Sequence, residues 1–153
     1  MSLEENKAIV RRWIESYNKQ NLASKEAAVD EFLAPDYIDH IHHGGPEGVK
    51  QVFNMAFKGM PDWHETIEDI IAEGDKVWLR VKATGTHTGA WDLFGAILPP
   101  TGEKVILNMV FIWRLESGQL VEGWEVDSDL GFLKQLGVIE FTEKGKPLEE
   151  VFR

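Results

Sequence analysis

The spacing of apolar residues in this chain changes once, near Pro61, and that change restricts what the chain can build. Before it, Ile9, Val10, Trp13, Ile14 and Tyr17 recur at helical intervals, as do Val49, Val52, Phe53, Ala56 and Phe57. After it, His64 to Ala72 and Val77 to His87 alternate apolar with polar residues, the period of a half-buried strand. Ser2 followed by Glu5 has capping-box spacing and opens the first helix. A second helix is expected from Ser24, burying Ala28, Phe32 and Leu33 and ending by Pro35. Pro46 opens a third, which Gly59 and Pro61 close.

The turn Glu73-Gly74-Asp75-Lys76 joins the first pair of strands, predicting Ile70 opposite Leu79, Asp69 opposite Arg80 and Glu68 opposite Val81. One face then carries Ile70, Ala72, Val77, Leu79, Val81 and Ala83 with Glu68, His64 and His87 among them. A second hairpin runs from Glu103 to Leu115 and from Leu120 to Val126, turning at Glu116 to Gln119. Its expected partners are Phe111 with Trp124, Trp113 with Glu122 and Asn108 with Asp127. A short helix from Asp129 to Leu136 follows, closed by Gly137. Helices followed by antiparallel hairpins predict an α+β fold, a curved antiparallel sheet wrapped as a cone around the N-terminal helices. The expected organisation is one domain over residues 1–137, with residues 138–153 as its charged extension, ending in the apolar Val151 and Phe152.

Charge narrows the partners. A formal net charge of −10, with no basic cluster, argues against nucleic acid, whose phosphates require clustered Lys and Arg. The absence of cysteine removes thiolate ligands and thiol nucleophiles. The N-terminus lacks the basic start and apolar block of a signal peptide, and no apolar run approaches the ~20 residues that span a bilayer. No membrane partner and a cytoplasmic location are therefore expected. The aromatic content, six Trp and eight Phe, suits either a filled core or an apolar cavity.

Seven segments, in order, resemble the SnoaL-like polyketide cyclase family of the NTF2-like, or ketosteroid-isomerase-like, superfamily. They are NKAIVRRWIESYN, LAPDYIDH, GGPEGVKQVF, MPDWHETIEDIIAEGDKV, GTHTG, PPTGEKV and LVEGWEVDSDLGFLKQLG, together covering residues 6 to 137. The resemblance implies a cone-shaped barrel with an apolar pocket and an intramolecular aldol closure of a polyketide ester, with no cofactor and no metal. It also implies an acid/base aspartate late in the last strand, helped by a histidine on a neighbouring strand.

The aspartate falls nearest Asp127, with Ser128 and Asp129 one and two residues on; Asp127 or Ser128 as a helix cap is the competing reading. By alternation Asp127 shares its face with Asn108, Arg114 and Glu125, opposite the apolar Leu107, Met109, Phe111, Trp113, Trp124 and Val126. A bulge or the end of pairing must turn it inward, or Glu122 or Glu68 supplies the carboxylate. No histidine stands on Glu103 to Leu115 to act as helper; Asn108 and Trp113 stand there instead.

The stretch Tyr37-Ile38-Asp39-His40-Ile41-His42-His43 is dense in ligating groups. In an extended chain His40 and His42 point together, which is half of a metal site, so no metal is expected. Tyr37 and His40 are read as pocket rim, with His40 handling protons, and His42 and His43 as solvated loop residues. His87 is a further candidate beside the pocket. Trp91 and Phe94 are read as a lid over the mouth or as a subunit contact. The expected function is a cyclase or isomerase acting on a small hydrophobic carbonyl compound; the alternative is a non-catalytic binding protein with the same cavity. Apolar Ile67, Ile71 and Trp78 on the polar sheet face predict a homodimer.

Overall fold

In a computed structural model the chain is described over residues 1–93, 95–149 and 151; Phe94 and Phe152 lie outside the described residues. Helix α1 (Leu3–Tyr17) starts at the expected capping box, in which Ser2 Oγ accepts from the Glu5 amide and the Glu5 carboxylate accepts from the Ser2 amide. Helix α2 (Leu22–Phe32) starts two residues before Ser24, because Asn21 caps it by accepting from the Ser24 amide. It ends before Pro35, as expected. Pro35 disfavours helical backbone in the residue before it, and Leu33 already opens strand β1 (Leu33–Asp39). Helix α3 (Gly45–Gly59) carries Pro46 in its first turn.

Strands β2 (His64–Glu73), β3 (Lys76–Thr86), β6 (Lys104–Glu116) and β7 (Gln119–Asp127) are antiparallel neighbours, and β1 adds to β7 in parallel, giving the order β1-β7-β6-β3-β2. Between β3 and β6 lies a small flap, β4 (Trp91–Leu93) with β5 (Ala96–Leu98). Helix α4 (Asp129–Gln135) follows β7. The fold is α+β, a curved and unclosed sheet with helices against its inner face. Val77, Leu79, Val81 and Ala83 of β3 are fully buried there against Ile9, Val10, Trp13 and Ile14 of α1. Burying each of the Val, Leu and Ile side chains contributes about 1.5–3 kcal/mol, so this layer holds α1 on the sheet. Among the described residues no helix is long and apolar enough to cross a membrane.

Two irregularities decide which side chains enter the fold. In β2 the register runs as expected from Glu73–Lys76 to Asp69–Arg80, then shifts, so that Ile67 faces Val81 and Glu65 faces Ala83. Glu68 is the extra residue. It leans outward to pair with Arg80, while Ile67, expected on the outer face, packs against the core. In β7 the register shifts between Arg114–Glu122 and Leu115–Leu120, leaving Val121 as the extra residue. Each extra residue inverts the alternation beyond it. The expected pairs on β6 are corrected accordingly: Phe111 faces Glu125, Trp113 faces Gly123 and Met109 faces Asp127. Trp124 and Val126 therefore belong to the outer face, and Glu125 and Asp127 to the inner one.

Candidate active site

A cavity of about 420 Å³ lies between the helices and the inner face of β6 and β7. That volume suits a small organic ligand. Its wall is largely apolar and aromatic: Trp13, Phe53, Met60, Leu107, Met109, Phe111, Trp113 and Phe132 all line it. Tyr17 meets Phe53 edge-on at 4.6 Å, and Phe111 stacks on Trp113 at 4.7 Å. These rings serve core and cavity at once.

Into this wall are set five carboxylates: Asp39, Glu65, Glu125, Asp127 and Asp129. Burial pushes Glu125 well above the ordinary carboxylate range, and the neighbouring charge of Asp127 adds to it. Burial raises Asp127 too, while a hydrogen bond from Glu125 holds it lower than it would otherwise be. Two acids on alternate residues of one strand face cannot both ionise cheaply in apolar surroundings. Glu125 is the member that keeps its proton, and Asp127 the one that ionises first. Asp127 Oδ1 is buried with no hydrogen-bond partner among the described residues.

Glu65 sits on the opposite edge of the sheet. Burial raises it to about 7, partly offset by the Trp63 indole, whose Nε1 donates to Oε1 at 2.9 Å, and by the Lys25 charge. Asp39 differs from Glu65, Glu125 and Asp127. Burial would raise it, but hydrogen bonds from His42 and the amides of Ile41 and His42 (2.8 and 2.9 Å) outweigh that and leave it below the usual range. His42 Nδ1 stands 3.4 Å from Asp39 Oδ2. The loop can return His42 to the cavity because His43, Gly44 and Gly45 all take left-handed backbone, with φ of 62°, 85° and 59°. That run is open mainly to glycine. His42 and Asp127 both line the cavity, and the charge of His42 favours the ionised form of Asp127.

The residues singled out from the sequence divide. Asp127, Tyr37, Trp91 and Trp113 line the cavity. Tyr37 is buried, and a Cβ at Gly123 would stand 1.9 Å from its hydroxyl oxygen and 3.0 Å from Trp113 Nε1, so only glycine leaves room for that contact. Trp91 packs edge-on against Phe132 at 5.3 Å, closing one side. His40 goes the other way. Its ring stacks on the outer Trp124 at 4.7 Å and its Nε2 lies 3.1 Å from Glu122. Glu122 also accepts from Arg114 Nε at 2.7 Å; this bond, with that of His40, holds Glu122 below the ordinary carboxylate value. Glu68 pairs with Arg80 outside, and Asn108 is exposed, its backbone tied to Ser128. His87 is fully buried but does not line the cavity; its Nδ1 accepts from the Thr101 amide at 3.2 Å.

Glu125, Glu65, His42 and Lys25 were not reached from the sequence. His42 and His43 were expected in solvent, yet His42 lines the cavity beside Asp39 while His43 is exposed. His40 and His42 do not point together. The signal that could have found Glu125 is its i, i+2 relation to Asp127, since whatever turns one inward turns the other.

Comparison with known proteins agrees with this architecture. The family model described as SnoaL-like polyketide cyclase matches residues 7–136. Among curated proteins, none matches the chain. Among solved structures, the chain is 28% identical to IdmH, a putative polyketide cyclase from Streptomyces antibioticus, over 87% of this chain and 99% of that one, with a TM-score of 0.70. It is 26% identical to AclR, a putative hydroxylase from Streptomyces galilaeus, over 97% and 95% of the two chains, with a TM-score of 0.78. TsrD from Streptomyces laurentii, 22% identical over 91% and 99% of the two chains with a TM-score of 0.77, shares the fold. With four-fifths of its length matched by one family model and its fold shared with these structures, the chain belongs to the SnoaL-like polyketide cyclase family.

Proposed function

We propose that the cavity catalyses cofactor-free proton transfer at a carbon beside a carbonyl of a small hydrophobic, polyketide-type compound, leading to aldol ring closure or isomerisation. The observation that carries this reading is the pair Glu125 and Asp127 side by side on one strand face in a largely apolar cavity wall, where burial favours the protonated form of each. Asp127 takes the proton from carbon. Glu125, holding its own proton, donates a hydrogen bond to the enolate oxygen as charge builds there, which is worth most where water is excluded. In a closure, the enolate carbon bonds to a second carbonyl carbon, and the resulting alkoxide takes a proton. His42, oriented by Asp39, stands where it can supply that proton. It would fill the role of the helper histidine from the loop before α3 instead of from β6.

The test needs no knowledge of the natural substrate. Deuterium exchange at the α-carbon of 2-tetralone, followed by NMR in heavy water, reads proton removal directly. The wild type should accelerate it, and Asp127→Asn should reduce the acceleration by about 100-fold or more. Equal exchange in both proteins removes Asp127 from the mechanism. Tight binding of 2-tetralone without any exchange in the wild type favours a non-catalytic binding protein.

We also propose a homodimer through the outer sheet face, where Ile71, Trp78, Ile106, Val110 and Val126 are exposed. Sedimentation should give twice the chain mass at micromolar concentration; a monomer contradicts it.

A further inference from the structure

The β2 side of the cavity holds polar groups that proton transfer at Asp127 does not use. Glu65 is 4% exposed and Trp13 2% exposed, and both line the cavity. Glu65 is held firmly. The Asn18 side chain accepts from its amide at 2.7 Å and donates to its carbonyl at 2.9 Å, and Trp63 Nε1 occupies Oε1. The other oxygen, Oε2, is buried with no partner among the described residues, and so is the Trp13 indole Nε1. Helix α1 packs on β2, and Tyr17, in edge contact with Trp13 at 5.2 Å, feels the charge of Glu65. The cavity lining thus includes a residue with a spare acceptor and one with a spare donor. Leaving either unpaired in a buried site carries a desolvation cost that a matching ligand group removes.

We infer that Glu65 Oε2 and Trp13 Nε1 form a second polar station that recognises a neutral hydroxyl group of the ligand. A hydroxyl both donates and accepts, so it can give its proton to Glu65 and leave its oxygen for Trp13. A ketone or ether offers nothing to the ionised Glu65. A ligand carboxylate would meet the charge of Glu65. A ligand ammonium would meet Lys25, which is 5% exposed, lines the same cavity and donates its ammonium protons to the Tyr17 carbonyl. The inference names the ligand class of the proposed site: a hydrophobic compound bearing a hydroxyl. It rests on reading the cavity as a ligand site, but not on the proton transfer.

The test compares 2-naphthol with 2-methoxynaphthalene by isothermal titration of the full chain at pH 8, above the value near 7 that burial gives Glu65. The wild type should bind 2-naphthol about tenfold more tightly. Glu65→Gln keeps the shape and can still accept from Trp63, but turns an N–H₂ donor toward the ligand, so the preference should fall to parity or reverse. Asp127→Asn should keep the tenfold preference whether or not it abolishes exchange, which separates this inference from the catalytic one. It is overturned if the wild type binds both probes equally, if 2-naphthol does not bind, or if Glu65→Gln keeps the preference.

Discussion

Glu122 and Glu125 lie three residues apart on one strand and behave as opposite chemical species. Glu122 faces outward into an Arg114 and His40 pair that favours its charge; Glu125 faces inward among aromatic rings and an acid that disfavours it. The residue type is the same and the backbone is continuous. What separates them is the parity of the strand, an odd spacing that sends one side chain to each face, and the extra residue Val121 decides which face each receives. Role is thus assigned by which side of a sheet a carboxylate reaches, and one inserted residue is enough to exchange the assignments.

The contrast is broken most severely by removing each side chain's polar group in turn. Glu125→Leu should lower α-proton exchange of 2-tetralone by roughly 100-fold, the scale of losing an oxyanion donor, whereas Glu122→Leu should leave it within about twofold. Comparable losses in both variants would erase the distinction between the faces.

Acidity should then appear in stability. The folded chain holds the proton of Glu65 up to about 7, against an ordinary value of 4.5. Its contribution is complete below pH 4.5 and is lost as pH rises through 7; Glu125 and Asp127, also raised, act in the same direction. Urea denaturation at pH 5 and pH 8 should show the wild type losing more stability than Glu65→Gln, by about 3 kcal/mol for full burial of the charge. An identical pH response in the two proteins would contradict the assignment.

A smaller effect tests the seam between the faces. Gly123→Ala places a methyl in the space of the Tyr37 hydroxyl and should cost about 1–3 kcal/mol in denaturation experiments. Adding Tyr37→Phe, which removes that oxygen, should return part of the loss. On the outer face alone, Glu122→Gln should change stability by less than about 1 kcal/mol, because the pair it breaks is partly solvated.

Much of the architecture was legible because its signals are local. The Ser2–Glu5 cap, Pro46 in the first turn of α3 and the turn at Glu73 to Lys76 each act within a few residues, and the pairs Ile70–Leu79 and Asp69–Arg80 follow directly from that turn. The site was less legible because it depends on parity carried past two inserted residues. Nothing about Glu68 or Val121 marks either as the extra one; only the demand to bury Ile67 on one strand and to leave Trp124 outside on the other selects them. Asp127 could be named as a candidate, with a bulge as the condition for its turning inward, but Glu65 lay on the wrong side of an unseen shift. His40 and His42 separate because β1 pairs with β7 as far as Asp39 and the glycine turn then reverses the chain, a long-range pairing that no short window contains. Lys25 sits on a helix whose polar face would ordinarily be solvated, and its burial depends on the Tyr17 carbonyl it meets.

The central claim is that an apolar wall holds a proton on Glu125 that solvent would remove. A ¹³C NMR titration of the side-chain carboxyls, assigned through Glu122→Gln and Glu125→Gln, measures this for both residues in one sample. The account predicts Glu125 titrating well above 4.5 and Glu122 below it. Two glutamates titrating together in the ordinary range would contradict it.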